Sequence, residues 1–213
     1  MTPDQIETVA NQEALSVFGT LRTTEDDNLG PGTILLLGPH EPGFWAHVTA
    51  APEFADGQPD PLDRWSHRTI SALAETAGGT PLFPFGQPVR PFIGWASRSG
   101  RAWSSPVGLL VHDRAGLMVS YRGAILVPGL HIQPSSKPFP CDACETKPCL
   151  TACPVNALSV DGYDIPECHA YLDSAEGQIC MSQGCAVRVS CPVSQSYHRL
   201  AMQSAFHMRQ FHP

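Results

Sequence analysis

Eight cysteines lie between Cys141 and Cys191, and residues 1–140 contain none. The first block reads Cys141-Asp-Ala-Cys144-Glu-Thr-Lys-Pro-Cys149-Leu-Thr-Ala-Cys153-Pro154. Bacterial ferredoxins hold cubane iron–sulfur clusters with C-x2-C-x2-C-x3-C-P, in which three thiolates grip one cluster and the fourth crosses to the other. The block matches that run with two residues added between its second and third cysteines. Its C-x3-C-P ending, continued by Val155-Asn156-Ala157-Leu158, is the specific part of the match. A second block, Cys168 and then Cys180-x4-Cys185-x5-Cys191-Pro192-Val193, repeats the Cys-Pro-Val ending.

Four thiolates per [4Fe-4S] cube and eight cysteines make two cubes with none left over. Zinc also takes sites of four thiolates, and eight cysteines suffice for two of those. Disulfides are a third use, disfavoured in a thiol-reducing compartment. Zinc ribbons pair separated C-x2-C knuckles, whereas four cysteines within thirteen residues and closed by proline follow the ferredoxin pattern. The crossover rule assigns Cys141, Cys144, Cys149 and Cys191 to one cluster and Cys153, Cys168, Cys180 and Cys185 to the other. A buried cysteine can be a small hydrophobe, but that does not account for eight so close together. Cubes are one-electron carriers, so an electron donor or acceptor protein is the expected partner.

The rest of the chain must position this chemistry. Its 213 residues, 42% of them hydrophobic and 15% charged, suffice for one core or a core with a satellite domain, which excludes disorder and coiled coil. With 21 prolines and 18 glycines the elements are expected to be short and turn-rich. The formal charge of -7, with no Lys/Arg-rich run, argues against nucleic acid and against anionic membrane surfaces. MTPDQIETVANQEA reads as neither signal peptide nor anchor, so a soluble cytoplasmic protein is expected.

Thr2-Pro3 opens a helix through about Glu13. Leu15 to Leu21 reads as a strand, and Gly32 to Gly38 as a strand buried on both faces. Pro42 to Ala51 and Pro61 to Ala77 read as helices, the second stopped by Gly78-Gly79. Val107 to His112 and Leu117 to Val127 read as a hairpin turned at Asp113-Arg114-Ala115-Gly116. Ser194 to Phe211, with Tyr197, Leu200, Ala201, Ala205 and Met208 at helical spacing, reads as a helix packing over the second cluster, its histidines solvated. This order suggests an α/β sandwich on a mixed or antiparallel sheet, joined near Pro134, Pro138 and Pro140 to the cysteine segment. No G-x-G-x-x-G or G-x-x-x-x-G-K loop occurs.

The segment from Trp103 to Val111, the stretch Tyr121-Arg122-Gly123-Ala124-Ile125-Leu126 and Cys168-His169-Ala170-Tyr171-Leu172 between the cysteine blocks resemble epoxyqueuosine reductase and, more distantly, reductive dehalogenase. VGLLVHDRAGLMVSYRGAILVPG also resembles the cblC-type cobalamin-processing protein, and small bacterial ferredoxin-like dicluster proteins look closer still. The resemblance covers roughly Trp95 to Pro192. It implies an α+β protein: a nitroreductase-like α/β sandwich domain over residues 1–133 with a cobalamin (corrinoid) site, then a small bacterial-type 2[4Fe-4S] ferredoxin domain over 134–213. Trp103, Ser104, Ser105, Val107, Tyr121 and Tyr171 would lie near the corrinoid, and the activity implied is cobalamin reduction, cobalamin processing or a corrinoid-dependent reduction. The alternative is a ferredoxin-like carrier that docks on a partner oxidoreductase without a corrinoid, with a flavin as a third cofactor option.

Departures narrow this. The proton-donating Asp of epoxyqueuosine reductase has no counterpart, since Glu75 is the sole acid between Arg64 and His112. The family's tRNA-binding extension and the dehalogenases' twin-Arg signal are not expected either, so the queuosine reaction itself is not. His112 is read as a hydrogen-bonded strand residue before a cobalt ligand. Phe83, Phe85, Phe92 and Trp95 are read as a rigid loop closing the core before an apolar wall for a planar ligand.

Overall fold

The computed structural model describes residues 1–132 and 136–213, so the expected join at Pro134 lies outside the described residues. The strands in chain order are β1 (Leu15–Arg22), β2 (Thr33–Pro39), β3 (Thr80–Leu82), β4 (Ala102–Ser104), β5 (Leu110–His112), β6 (Gly123–Val127), β7 (Leu158–Ser159) and β8 (Gly162–Tyr163). The helices are α1 (Pro3–Gln12), α2 (Phe44–Thr49), α3 (Pro61–Ala77), α4 (Phe92–Arg98), α5 (Ile165–Leu172), α6 (Gln178–Gln183), α7 (Ala186–Ser190), α8 (Pro192–Ser196) and α9 (Ala201–Phe211). The chain is mixed α/β and divides into two compact units. Unit 1 is Met1–Arg101 with Ser120–Lys137; unit 2 is Ala102–Val119 with Pro138–Pro213. Residues 102–119 thus belong with the cysteine-bearing segment. Among the described residues no helix is long and apolar enough to cross a membrane.

Unit 1 is an antiparallel sheet in the order β1-β2-β6-β3. Every residue of β2 and of β6 is buried, which is why their sequences run apolar without alternation. On α3, Leu62, Trp65, Ser66, Thr69, Ile70, Leu73, Ala74 and Ala77 are buried at three- and four-residue spacings, and the helix packs on β6. Pro61 stands in its first turn, and Gly78 ends it at φ 66, a left-handed conformation that glycine adopts without steric cost. The Thr2 hydroxyl accepts from Gln5 N–H and the Thr2 N–H donates to the Gln5 side chain, so α1 starts with a capping box.

A bulge between Val17 and Gly19 leaves Phe18 without a ladder partner on β2. The Phe18 ring, fully buried, covers Gly38, where an added Cβ would overlap it. Gly38→Ala is therefore expected to destabilise unit 1 by about 1–3 kcal/mol, the usual cost of overpacking, read as a lowered urea midpoint with unchanged slope.

The expected hairpin is not formed. β5 pairs with β4, while β6 is taken up between β2 and β3. The turn that closes the real hairpin is Ser105-Pro106-Val107-Gly108: the Gly108 N–H donates to Ser105 O at 2.9 Å and the Ser105 N–H to Leu109 O at 2.8 Å. Proline at the second position and glycine at φ 74 suit a type I turn with a bulge, and β6 is apolar enough to be a central strand. Asp113–Gly116 instead makes a tight local turn on His112. The long C-terminal helix is broken as well: α8 and α9 are separated around His198, whose φ is 60. α9 packs on α6, the helix of Cys180.

Candidate functional site

Five short features bring the cysteines of unit 2 together. Cys149 is buried on a single 3-10 turn, Pro148–Leu150, entered through Lys147 in the left-handed region. Cys168 lies on α5 and Cys180 on α6, while Cys185 opens α7 and Cys191 links α7 to α8. Because α7 packs on the Pro148–Leu150 turn, the late cysteines are drawn back onto the early block. The Ser194 hydroxyl accepts from the Leu117 N–H at 2.9 Å, which ties α8 to the turn after β5.

Cys141, Cys144, Cys149 and Cys191 line one cavity of about 370 Å³. Its other walls include Ser105, Pro106, Val111, Leu117, Pro148 and Pro192. Burial pushes the Cys141 thiol up to about 11, and the cysteine charges that act on it most are those of Cys149, Cys191 and Cys144. Cys149 is raised likewise, by burial and then by Cys191 and Cys144. The remaining four form a second set by the same criterion. Burial raises Cys168 and Cys180, with Cys185 and Cys153 acting on both and Cys168 also on Cys180. The Tyr163 hydroxyl donates to Cys168 Sγ at 3.4 Å.

All eight cysteines are free. Among the described residues no three His, Cys, Asp or Glu side chains form a group fit for a metal ion. A tetrahedral zinc site, with zinc–sulfur bonds of about 2.3 Å, holds its sulfurs about 3.8 Å apart around one point. A cube gives each thiolate its own iron, so its sulfurs stand further apart around a volume. Four thiols around a cavity fit the second arrangement.

No family model, curated protein or solved structure matches this chain.

The two sets share one apolar core. Cys149, Cys191 and Cys141 of the first and Cys153 and Cys185 of the second pack with Val107, Val111, Leu117, Leu158 and Val187. Arg188, three residues after Cys185, donates to the Leu117 carbonyl; burial lowers its pKa and the Cys185 charge opposes that. A cation thus stands beside the second set.

Of the six residues that the resemblance assigns to a corrinoid, five fall in unit 2 and Tyr121 in unit 1. Val107 is buried in the apolar core of unit 2, and Trp103 packs on that core with its ring 5.8 Å from Phe139. Ser104 is exposed at the end of β4, and the Tyr171 hydroxyl donates to Glu176 O at 3.2 Å. Tyr121 belongs to the core of unit 1, edge-on to Phe18. Ser105 faces the cysteine cavity.

His112 is fully buried, its Nδ1 accepting from the Arg114 and Ala115 N–H groups and its Nε2 lying 3.2 Å from Asp113, so it holds a turn. Beyond the C-terminal helix, His212 Nδ1 lies 2.6 Å from His169 Nδ1 and its Nε2 3.0 Å from Asp173. In unit 1 Phe92 and Trp95 are core residues on the helix α4, so the expected loop is confined to the part with Phe83 and Phe85, where Phe83 stacks between His67 and Phe85. Tyr163 and Arg188 were missed by sequence reading. Neither sits in a recognisable run, and only the three-residue step from Cys185 to Arg188, close to one helical turn, gave a signal.

Proposed function

We propose that this protein is an iron–sulfur electron carrier whose unit 2 holds two [4Fe-4S] clusters, one on Cys141, Cys144, Cys149 and Cys191 and the other on Cys153, Cys168, Cys180 and Cys185. The observation that carries the reading is the convergence of four of the eight free cysteines, Cys141, Cys144, Cys149 and Cys191, on one cavity. When bound, such clusters take up and release single electrons. What the chain contributes is position and environment. Pro106, Pro140, Pro148 and Pro192, with Val111 and Leu117, give the first cavity an apolar wall on one side, while Glu145, Thr146 and Lys147 line it as well. Burial raises the Cys141 and Cys149 thiols further above neutral pH, so loading with iron releases protons and is favoured by higher pH. The shared apolar core keeps the two sets close, as passage of electrons between them requires. Arg188 offsets part of the negative charge that four thiolates bring to the second set.

Among the readings that the sequence leaves open, a carrier that serves a partner oxidoreductase fits the geometry best, because the residues assigned to a corrinoid are committed to cores, turns and the cysteine cavity. Protein purified anaerobically is expected to be brown and to contain about eight irons and eight acid-labile sulfides per chain. Zinc in their place would overturn the reading. Hydroxocobalamin added to the loaded protein is expected to elute separately; co-elution of one equivalent with a changed spectrum would replace the carrier by a corrinoid reductase.

A further inference from the structure

The wall of the first cavity contains a hydroxyl that has nothing to donate to. Ser105 is 7% exposed, and its Oγ is buried without a hydrogen-bond partner. Both of its backbone groups are committed to the β4–β5 turn, the N–H to Leu109 O and the carbonyl to Gly108 N–H. Pro106 and Gly108, the latter at φ 74, fix that turn, so the side chain cannot leave the wall without breaking the hairpin. Its apolar neighbours in the lining, Pro106, Val111, Leu117 and Val193, offer no side-chain acceptor. Native folds seldom leave a buried hydroxyl unsatisfied, and one that lines a cavity points to an acceptor within it.

We infer that Ser105 donates a hydrogen bond to a sulfur of the cluster held by Cys141, Cys144, Cys149 and Cys191 and thereby raises that cluster's reduction potential. The inference rests on the iron–sulfur reading above. Reduction adds one electron, and the added negative charge is shared by the sulfurs of the cluster and its thiolates. A donor aimed at one of those sulfurs stabilises the reduced form more than the oxidised form, which raises the potential. Around the buried Ser105 hydroxyl the wall is apolar, and the lowered local dielectric there strengthens the bond. The donor toward the second set is differently placed: Tyr163, which is 39% exposed, reaches Cys168 from a position open to water. The two clusters are therefore poised at different potentials, the buried serine acting on the first alone.

The test is a redox titration of the full chain, purified anaerobically, followed by electron paramagnetic resonance with iron and sulfide counted in every sample. Ser105→Ala is expected to keep about eight irons and to lower one of the two midpoint potentials. At the wild-type midpoint the reduced-to-oxidised ratio of that cluster falls about tenfold, which for a one-electron couple is 59 mV. Ser105→Thr, which keeps the hydroxyl, restores the wild-type value. A second reading needs no stable variant: the reduced wild-type cluster is expected to show an exchangeable-proton coupling that disappears in deuterium oxide. Full iron with no such coupling, or with both midpoints unmoved in Ser105→Ala, overturns the role of Ser105 while leaving the carrier intact. Wild-type protein without iron and sulfide overturns the carrier, and this inference with it.

Discussion

Cys149→Ser is expected to halve the iron of anaerobically purified protein, from about eight to about four per chain, and to abolish one of two cluster signals. Cys149 is buried in the core of unit 2 and lines the first cavity. A serine hydroxyl there is a poor replacement for thiolate and would be left without a partner beside Val187 and Leu117. The informative experiment combines substitutions. Cys149→Ser with Cys191→Ser removes ligands of one set, so the pair should lose no more iron than either alone. Cys149→Ser with Cys180→Ser touches both sets and should lose all of it. Cys153→Ser decides the crossover, because a contiguous reading of the first block would place Cys153 with Cys141, Cys144 and Cys149. The proposed crossover puts Cys153 with the second set, so its loss should spare the signal that Cys149→Ser removes. If both substitutions abolish the same signal, the partition is wrong.

How much of this could be read from the chain depends on whether a feature is local. α3 was legible from Pro61 to Ala77 because helical spacing, the first-turn proline and the closing glycine are all properties of consecutive residues. That Cys191 meets the early block is anticipated by the crossover of the ferredoxin run, and it lines one cavity with Cys141, Cys144 and Cys149. The hairpin was misread because the choice between two partners for β5 depends on the rest of the sheet. β6 is worth more between β2 and β3, where all its side chains are buried, than alongside β5. The same limit explains Ser105. On sequence grounds it was one of six residues with a borrowed role, and only the closed turn at Gly108 and the cavity behind it give the hydroxyl a direction. The C-terminal segment kept its apolar positions, with Tyr197 and Ala205 buried, yet broke at His198, where periodicity alone carries no warning of a left-handed residue.

Asp27→Ala is expected to destabilise unit 1 by about 2–3 kcal/mol, the upper part of the range found when a buried donor loses its acceptor, since the Arg98 partner is partly open to water. Asp27 is 5% exposed and accepts from Arg98 twice, at 2.7 and 3.0 Å, from Trp95 Nε1 at 2.7 Å and from the Thr24 N–H at 2.7 Å. Its carboxylate thus joins the turn after β1 to α4, and Arg98 also donates to the Arg22 carbonyl at the end of β1. Without it the indole N–H of a fully buried Trp95 and a guanidinium lose their acceptor together. The Arg98 hydrogen bonds, more than those of Thr24 and Trp95, hold the Asp27 carboxyl well below the usual carboxylate range against the opposing effect of burial. In the unfolded chain the group titrates near 3.9, about as in a model peptide. Its contribution is therefore complete above about pH 5 and lost as pH falls toward the depressed folded value, since the unfolded state then binds a proton that the folded state refuses. Asp27→Asn separates charge from shape: an amide keeps one acceptor oxygen but cannot titrate. Urea midpoints measured from pH 6 to pH 3 should fall more steeply for the wild-type chain than for Asp27→Asn, and the two curves should converge toward the acid end. Parallel curves would mean that the carboxylate is not charged in the fold or is not what ties α4 to the turn.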